Sequence, residues 1–98
     1  LLTAALDIHS VEARHASEIR RIRGLKGWIT GKTSSGVPDA IYAAGIPAAD
    51  FPAEDNTTQG GMDVSTVSTI AAAAIGESFD EPLDKASVLA IATPFLKK

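Results

Sequence analysis

A carboxylate and an imidazole, Glu12 and His15, stand three residues apart near the start of the sequence. On an α-helix, side chains at positions i and i+3 lie on adjacent turns of one face. If this segment is helical, both side chains can reach a single metal ion. The spacing therefore makes Glu12 and His15 our candidate metal ligands.

The two residues lie within an otherwise apolar stripe. Steps of three and four residues along the chain give Leu1, Ala5, Ile8, Glu12, His15, Ile19 and Ile22. We call these seven residues the stripe, and their spacing is typical of a helix face that packs on other helices. A Glu in such a position is rarely buried unless it is paired or binds a metal. The alternative is a half-buried stripe, with Glu12 exposed or paired with an Arg of another helix.

One long helix, predicted over residues 1–24, must position this pair. Residues 1–23 contain neither Gly nor Pro, and Arg20, Arg21 and Arg23 fall where cations favour the negative end of the helix dipole. Gly24 is the expected residue after the helix. No capping residue and no initiator Met precede Leu1. We therefore expect Leu1 to lie within a longer helix rather than at its natural start. A processed precursor, an excised segment and a partly resolved larger chain remain open.

Residues 25–98, which we call the tail, are predicted to be loop-rich. All eight Gly and all five Pro lie from residue 24 onward. Short helices are expected at about 38–44, 63–75 and 84–93, with Asp63 and Asp84 as caps of the second and third. No segment alternates with period two, so no strand is expected. The predicted fold class is therefore all-α.

Composition narrows the classes of function. The 98 residues carry nine Lys and Arg against twelve Asp and Glu, a net charge of −3 that argues against a general nucleic-acid binder. Cysteine is absent, which excludes disulfides and thiolate metal sites. The longest apolar run is much shorter than the roughly 20 residues that a transmembrane helix needs. No targeting segment is visible.

Other candidate sites have a simpler interpretation. His9 lies off the centre of the stripe, where a surface or supporting role is favoured over ligation. Asn56 begins a glycosylation acceptor sequence, which matters only in a eukaryotic secreted protein. Four acidic residues could hold Ca²⁺ but miss the EF-hand spacing, so a solvated loop is favoured. They are Asp50, Glu54, Asp55 and Asp63.

Several stretches resemble a known family. Residues 6–20 read Leu-Asp-Ile-His-Ser-Val-Glu-Ala-Arg-His-Ala-Ser-Glu-Ile-Arg, similar to the last bundle helix of bacterial ferritin-like domain proteins. The tail adds Asn-Thr-Thr-Gln-Gly-Gly at 56–61, Phe-Asp-Glu-Pro-Leu at 79–83, Val-Leu-Ala-Ile at 88–91 and Pro-Phe-Leu at 94–96. These resemble the extension that follows the bundle in that family, whereas residues 27–50 and 64–76 contribute little.

The resemblance implies the C-terminal part of a ferritin-like four-helix bundle. Residues 1–24 would be its last helix, and residues 25–98 an extension that wraps on the bundle. Glu12 would bridge or chelate and His15 would ligate, as one quarter of a dinuclear iron or manganese site with oxygen or peroxide chemistry. Three bundle helices and their ligands are not among these residues, so the missing helices or partner helical subunits would have to supply them.

Two hypotheses from different classes follow. In the first, the chain contributes a Glu-x-x-His pair to a di-iron or di-manganese site. In the second, the helix and tail pack on partner helices in a structural or assembly role, without metal. Whether the whole protein is an enzyme stays open, as does its localisation in the bacterial cytoplasm or periplasm.

Overall fold

A single long helix, α1 (Leu2–Ile22), forms the first part of the chain in the computed structural model, which describes residues 1–33 and 36–96. Its end is a Schellman motif: the N–H of Gly24 donates to the carbonyl of Arg21 (2.9 Å) and the N–H of Leu25 to that of Arg20 (3.0 Å). Gly24 has a φ of 75°, which a residue without Cβ adopts at little cost. Leu1, at the N-cap, offers no side-chain cap.

The tail contains a small antiparallel sheet, which corrects the prediction of an all-α fold. Strands β1 (Thr58–Gln59) and β2 (Met62–Asp63) pair with Thr58 opposite Asp63 and Gln59 opposite Met62. Gly60 and Gly61, with φ of 59° and 82°, form the two-residue turn that such hairpins favour. Two-residue strands are too short to show an alternating pattern, so only the Gly-Gly pair could have indicated them.

The helix predicted at 63–75 is also wrong. Residues Val64–Thr66 form a single 3₁₀ turn, and α2 covers only Ala72–Gly76. The Asp63 carboxylate accepts from the N–H and the hydroxyl of Ser65, and the Ser68 hydroxyl accepts from the N–H of Ile70. Such side-chain contacts compete with helical hydrogen bonds, which explains why the helix breaks where Ser and Thr are dense.

The last predicted helix is present as α3 (Lys85–Ala92), followed by a 3₁₀ turn at Thr93–Phe95. Asp84 caps it as predicted, since its carboxylate accepts from the N–H groups of Ala86 (2.9 Å) and Ser87 (3.0 Å). The segment predicted at 38–44 is reduced to one 3₁₀ turn, Asp39–Ile41.

The core is small and belongs to the tail. Among the described residues, the buried large apolar side chains are Tyr42 (8% exposed) and Ile75 (3%), with Glu54 as the buried charged residue. The N–H of Glu54 donates to the carbonyl of Tyr42, and Gly76 packs directly on the Glu54 backbone. This core therefore ties the loop at 53–56 to α2.

The described residues do not contain a four-helix bundle, so that part of the predicted fold class is contradicted too. α1 is the one long helix in this part of the chain, and α2 and α3 are only five and eight residues long. The bundle was predicted from one helix and from its resemblance to ferritin-like proteins. A bundle requires several long helices that pack their apolar faces together. No helix within residues 1–33 and 36–96 has the length and apolar character needed to cross a bilayer.

Candidate functional site

Glu12 and His15 lie together on the free face of α1. Each residue of an α-helix advances by about 100°, so the two positions are separated by about 60° around the helix axis. Ile8 and Ile19, one turn before and one turn after the pair, fall within the same sector. Both ligand candidates are exposed, and Ile8 and Ile19 are 64% and 58% exposed.

The tail covers a different side of α1. Arg20 donates from Nη1 to the Tyr42 hydroxyl (3.1 Å) and from Nε to the carbonyl of Lys26 (3.0 Å). Gly27 lies so close to Ser17 that an added Cβ would sit 2.8 Å from the Ser17 hydroxyl. Residues 17 and 20 are about 100–160° around the helix from Ile19. The loop therefore seals one flank of α1 and leaves the stripe uncovered.

No residue of α1 is buried, so its apolar side chains remain in contact with water, which is unfavourable. The stripe exposes Leu1, Ile8, Ile19 and Ile22, and Ile22 is 77% exposed. A contiguous apolar patch rimmed by polar residues usually marks an interaction surface on a soluble protein. The candidate ligands are thus set in the middle of a surface that gains free energy when another element covers it.

The pair has no third ligand in the residues that the structure describes. No group of three or more His, Cys, Asp or Glu side chains gathers there in an arrangement that could hold a metal ion. Glu12 and His15 alone supply two ligands, fewer than the four to six that transition-metal sites use. A tight site would require further ligands.

His9 and Ser10 do not extend the site. Position 9 is about 120° around the helix from His15, on the edge nearest the tail. The Ser10 hydroxyl accepts a hydrogen bond from Arg14 Nη2 (3.0 Å), so it is engaged one turn along its own helix. Neither residue forms a nucleophile and base pair with the other.

Three of the four acidic residues considered as a Ca²⁺ site, Glu54, Asp55 and Asp63, have separate structural partners. Asp55 forms an ion pair with Lys32 (2.8 Å), and Asp63 caps the turn at Ser65. Glu54 is buried, and its Oε2 accepts from the N–H of Glu81. Burial, more than the nearby Asp80 and Glu81 carboxylates, raises the pKa of Glu54 above its ordinary value. These groups stabilise loops and do not converge on a Ca²⁺ site.

The side chain of Asn56 is also engaged in hydrogen bonds. Its side-chain amide donates to the Thr58 carbonyl (2.8 Å) and to Glu81 Oε1 (2.8 Å), and its Oδ1 accepts from the N–H of Thr58. Gln59 Nε2 donates to the same Glu81 oxygen (2.7 Å). Asn56 therefore holds the hairpin against residue 81, which disfavours its use as a glycan acceptor.

Two carboxylate anchors were not apparent from the sequence. Beyond capping α3, Asp84 accepts from the N–H of Ile46 (2.8 Å), and the Ser87 hydroxyl donates to it as well. The hydrogen bond from Ser87, followed by that from Ile46, lowers the pKa of Asp84 to about 2. Glu77 binds Lys26 Nζ and Trp28 Nε1, and these contacts lower its pKa. Only Asp84 carried a sequence signal, as a cap.

An apolar groove of about 450 Å³ lies between residues 38–44 and α3. Its lining includes four alanines and two prolines, with Ser87, Ile91 and Phe95. No acid, base or metal ligand lines it. Glu12 and His15 do not line this groove.

Comparison with known proteins adds no assignment. No protein-family model, no curated protein and no solved structure matches the chain.

Proposed function

We propose that α1 is a metal-binding helix that functions only when packed on another helix. Glu12 and His15 form part of a di-iron or di-manganese site, and ligands from the other helix complete it. The observation that supports this proposal is the position of two exposed ligand side chains at the centre of the uncovered stripe.

Covering the stripe makes metal binding physically advantageous. When a second helix packs on Ile8 and Ile19, the Glu12 carboxylate loses its water. An isolated buried carboxylate costs several kcal/mol unless a cation compensates it. A metal ion held by Glu12, His15 and partner side chains supplies that compensation.

The resemblance to bacterial ferritin-like proteins supplies the proposed cofactor and chemistry. It points to iron or manganese and to oxygen or peroxide chemistry, or to metal handling. This chain's own part is restricted to ligation through a carboxylate and an imidazole. The tail fixes the flank of α1 through Arg20 and thereby leaves the ligand face open.

The proposal can be tested on the chain itself with Mn²⁺ as a paramagnetic probe. In ¹⁵N-labelled protein, low Mn²⁺ should broaden amide signals around residues 9–16 before those of the acidic tail loops. Glu12→Gln and His15→Ala should each remove this selectivity. Glu18→Gln, a matched change on another face of α1, should retain it. Broadening confined to the tail carboxylates, or unchanged in Glu12→Gln, would contradict the proposal.

A structural or assembly role without metal is the second candidate. It is favoured by the exposed apolar residues of the stripe, which can pack on a partner helix whether or not a metal is present. The two functions differ in one measurable respect. Under the structural role, association of the chain with its partner helices is unchanged by Glu12→Gln with His15→Ala, but is weakened by Ile8→Asp.

A further inference from the structure

From Ala5 to Ile22 the stripe reads the same in both directions along α1. Residues whose numbers total 27 match in chemical type, apolar with apolar and ligand with ligand. The pairs are Ala5 with Ile22, Ile8 with Ile19, and Glu12 with His15. The centre of this pattern lies between Glu12 and His15, close to the middle of α1 (Leu2–Ile22).

We propose that the partner helix is α1 of a second copy of this chain, packed antiparallel about a two-fold axis through the centre of the stripe. The inference rests on the proposed function, in which Glu12 and His15 bind metal. In this arrangement Ile8 of one copy packs on Ile19 of the other. Each Glu12 lies at the same level as the second copy's His15.

The pairing completes a ligand set that one copy lacks. Two layers of side chains, about 4.5 Å apart along the helix, bring together two carboxylates and two imidazoles. In di-iron and di-manganese bundle proteins, Glu and His side chains from facing helices hold the metal, and the two Glu12 and two His15 side chains would do so here. Four protein ligands, with water completing the coordination, suit iron or manganese. The site is incomplete without the second copy.

Charge complementarity favours the antiparallel direction. In a parallel pair every residue meets its own counterpart, which would place the two Glu12 carboxylates together and the two His15 imidazoles together. The antiparallel pair instead sets each Glu12 beside an imidazole. Like charges set opposite each other across a contact are unfavourable, so the antiparallel direction is preferred.

The position of the tail favours the same direction. The tail contacts the C-terminal half of α1, at Ser17 and Arg20. An antiparallel pair places the two tails at opposite ends of the helix pair, whereas a parallel pair would place them side by side at one end. The stripe itself remains free of the tail in either copy.

Metal should control the strength of this dimer. A contact between two helices about 30 Å long is small compared with stable interfaces, which bury about 800 Å² per partner. The metal-free chain should therefore dimerise weakly. Because the metal binds the completed four-ligand site more tightly than the two-ligand pair of one copy, it should tighten dimerisation about tenfold or more.

Sedimentation velocity with and without Mn²⁺ measures that linkage. The wild-type chain and Glu18→Gln should shift toward dimer when Mn²⁺ is added, whereas Glu12→Gln and His15→Ala should not. All these side chains are exposed, so circular dichroism should show that each variant keeps its helix. A chain that stays monomeric with Mn²⁺ bound at α1 would overturn the dimer and leave the proposed function standing. Failure of both would show as Mn²⁺ binding only in the tail.

Disulfide trapping tests the direction of packing, since the chain has no cysteine of its own. Ile8→Cys and Ile19→Cys variants, mixed under mild oxidation, should form a mixed disulfide faster than either variant forms its own. Disulfides need Cα atoms within about 7 Å, so the trap reports close contact. Faster self-linking of each single variant would indicate a parallel pair and overturn the antiparallel site.

Discussion

α1 and the tail are stabilised in opposite ways. α1 is regular over 21 residues, ends in its own backbone motif and buries none of its side chains. The tail has little regular structure, yet it contains the buried residues Tyr42, Ile75 and Glu54. The tail is thus held by its own contacts, while the apolar face of α1 is exposed. The candidate metal ligands lie on the element that has no buried side chain.

The largest expected effect is a difference in unfolding free energy between two isoleucine substitutions, one in the tail and one in α1. Ile75→Ala removes a side chain that is 3% exposed and should lower the free energy of unfolding by about 2–4 kcal/mol. Ile19→Ala removes one that is 58% exposed and should change it by less than about 0.5 kcal/mol in dilute, metal-free chain. Urea unfolding measures both. Equal losses would mean that the stripe is already packed in the single chain.

Loss of the Asp84 carboxylate should be the next largest change. Asp84→Ala leaves the N–H groups of Ile46, Ala86 and Ser87 without their acceptor, so the thermal midpoint should fall clearly. Asp84→Asn is the matched control, because an amide oxygen can still cap α3.

The lowered pKa of Asp84 predicts that the stability of the chain depends on pH. Because the folded pKa of Asp84 is about 2, below the ordinary value of about 3.9, its contribution is complete above about pH 4 and is lost as the pH falls through 2. Unfolding curves between pH 2 and 5 should show a steeper loss of stability in the wild type than in Asp84→Asn. Parallel curves would show that the carboxylate is not held as described.

The hydrogen bond between Arg20 of α1 and Tyr42 of the tail is expected to contribute less to stability than Asp84 does. Tyr42→Phe removes the hydroxyl that accepts from Arg20 and should cost about 1 kcal/mol, with the ring still buried. A double-mutant cycle with Arg20→Gln isolates this contact. No coupling energy between the two changes would mean that the tail is placed on α1 by the backbone contacts alone.

The smallest effect concerns Glu54. Because burial raises its folded pKa, its contribution is complete below its unfolded pKa and is lost as the pH rises through the folded value. Glu54→Gln keeps an acceptor for the Glu81 N–H and should flatten this decline toward neutral pH. A wild type whose stability declines with rising pH no more than that of Glu54→Gln would contradict the burial of this carboxylate.

Local signals explain which features were predictable. α1 could be read because residues 1–23 lack Gly and Pro and Gly24 ends the helix, and Asp84 could be read as a cap. Both depend on neighbours in sequence. The spacing of Glu12 and His15 likewise follows from helix geometry alone, so their shared face was predictable.

The remaining features depend on contacts between distant residues. Nothing near Glu54 indicates that it will be buried against Glu81, and nothing near Ile46 indicates its bond to Asp84. Two-residue strands carry no readable alternation, which is why the sheet was missed. Under the proposed function the ligands that complete the site around Glu12 and His15 would come from another helix, so the spacing of this pair could not specify them.

Metal content tests the central proposal most directly. The chain, recovered from the cells that naturally make it together with its bound helices, should contain iron or manganese by mass spectrometry. The Glu12→Gln, His15→Ala double variant should lose that metal, and Glu18→Gln should keep it. Equal metal content in all three proteins, or none in the wild type, would contradict the assignment of Glu12 and His15 as ligands.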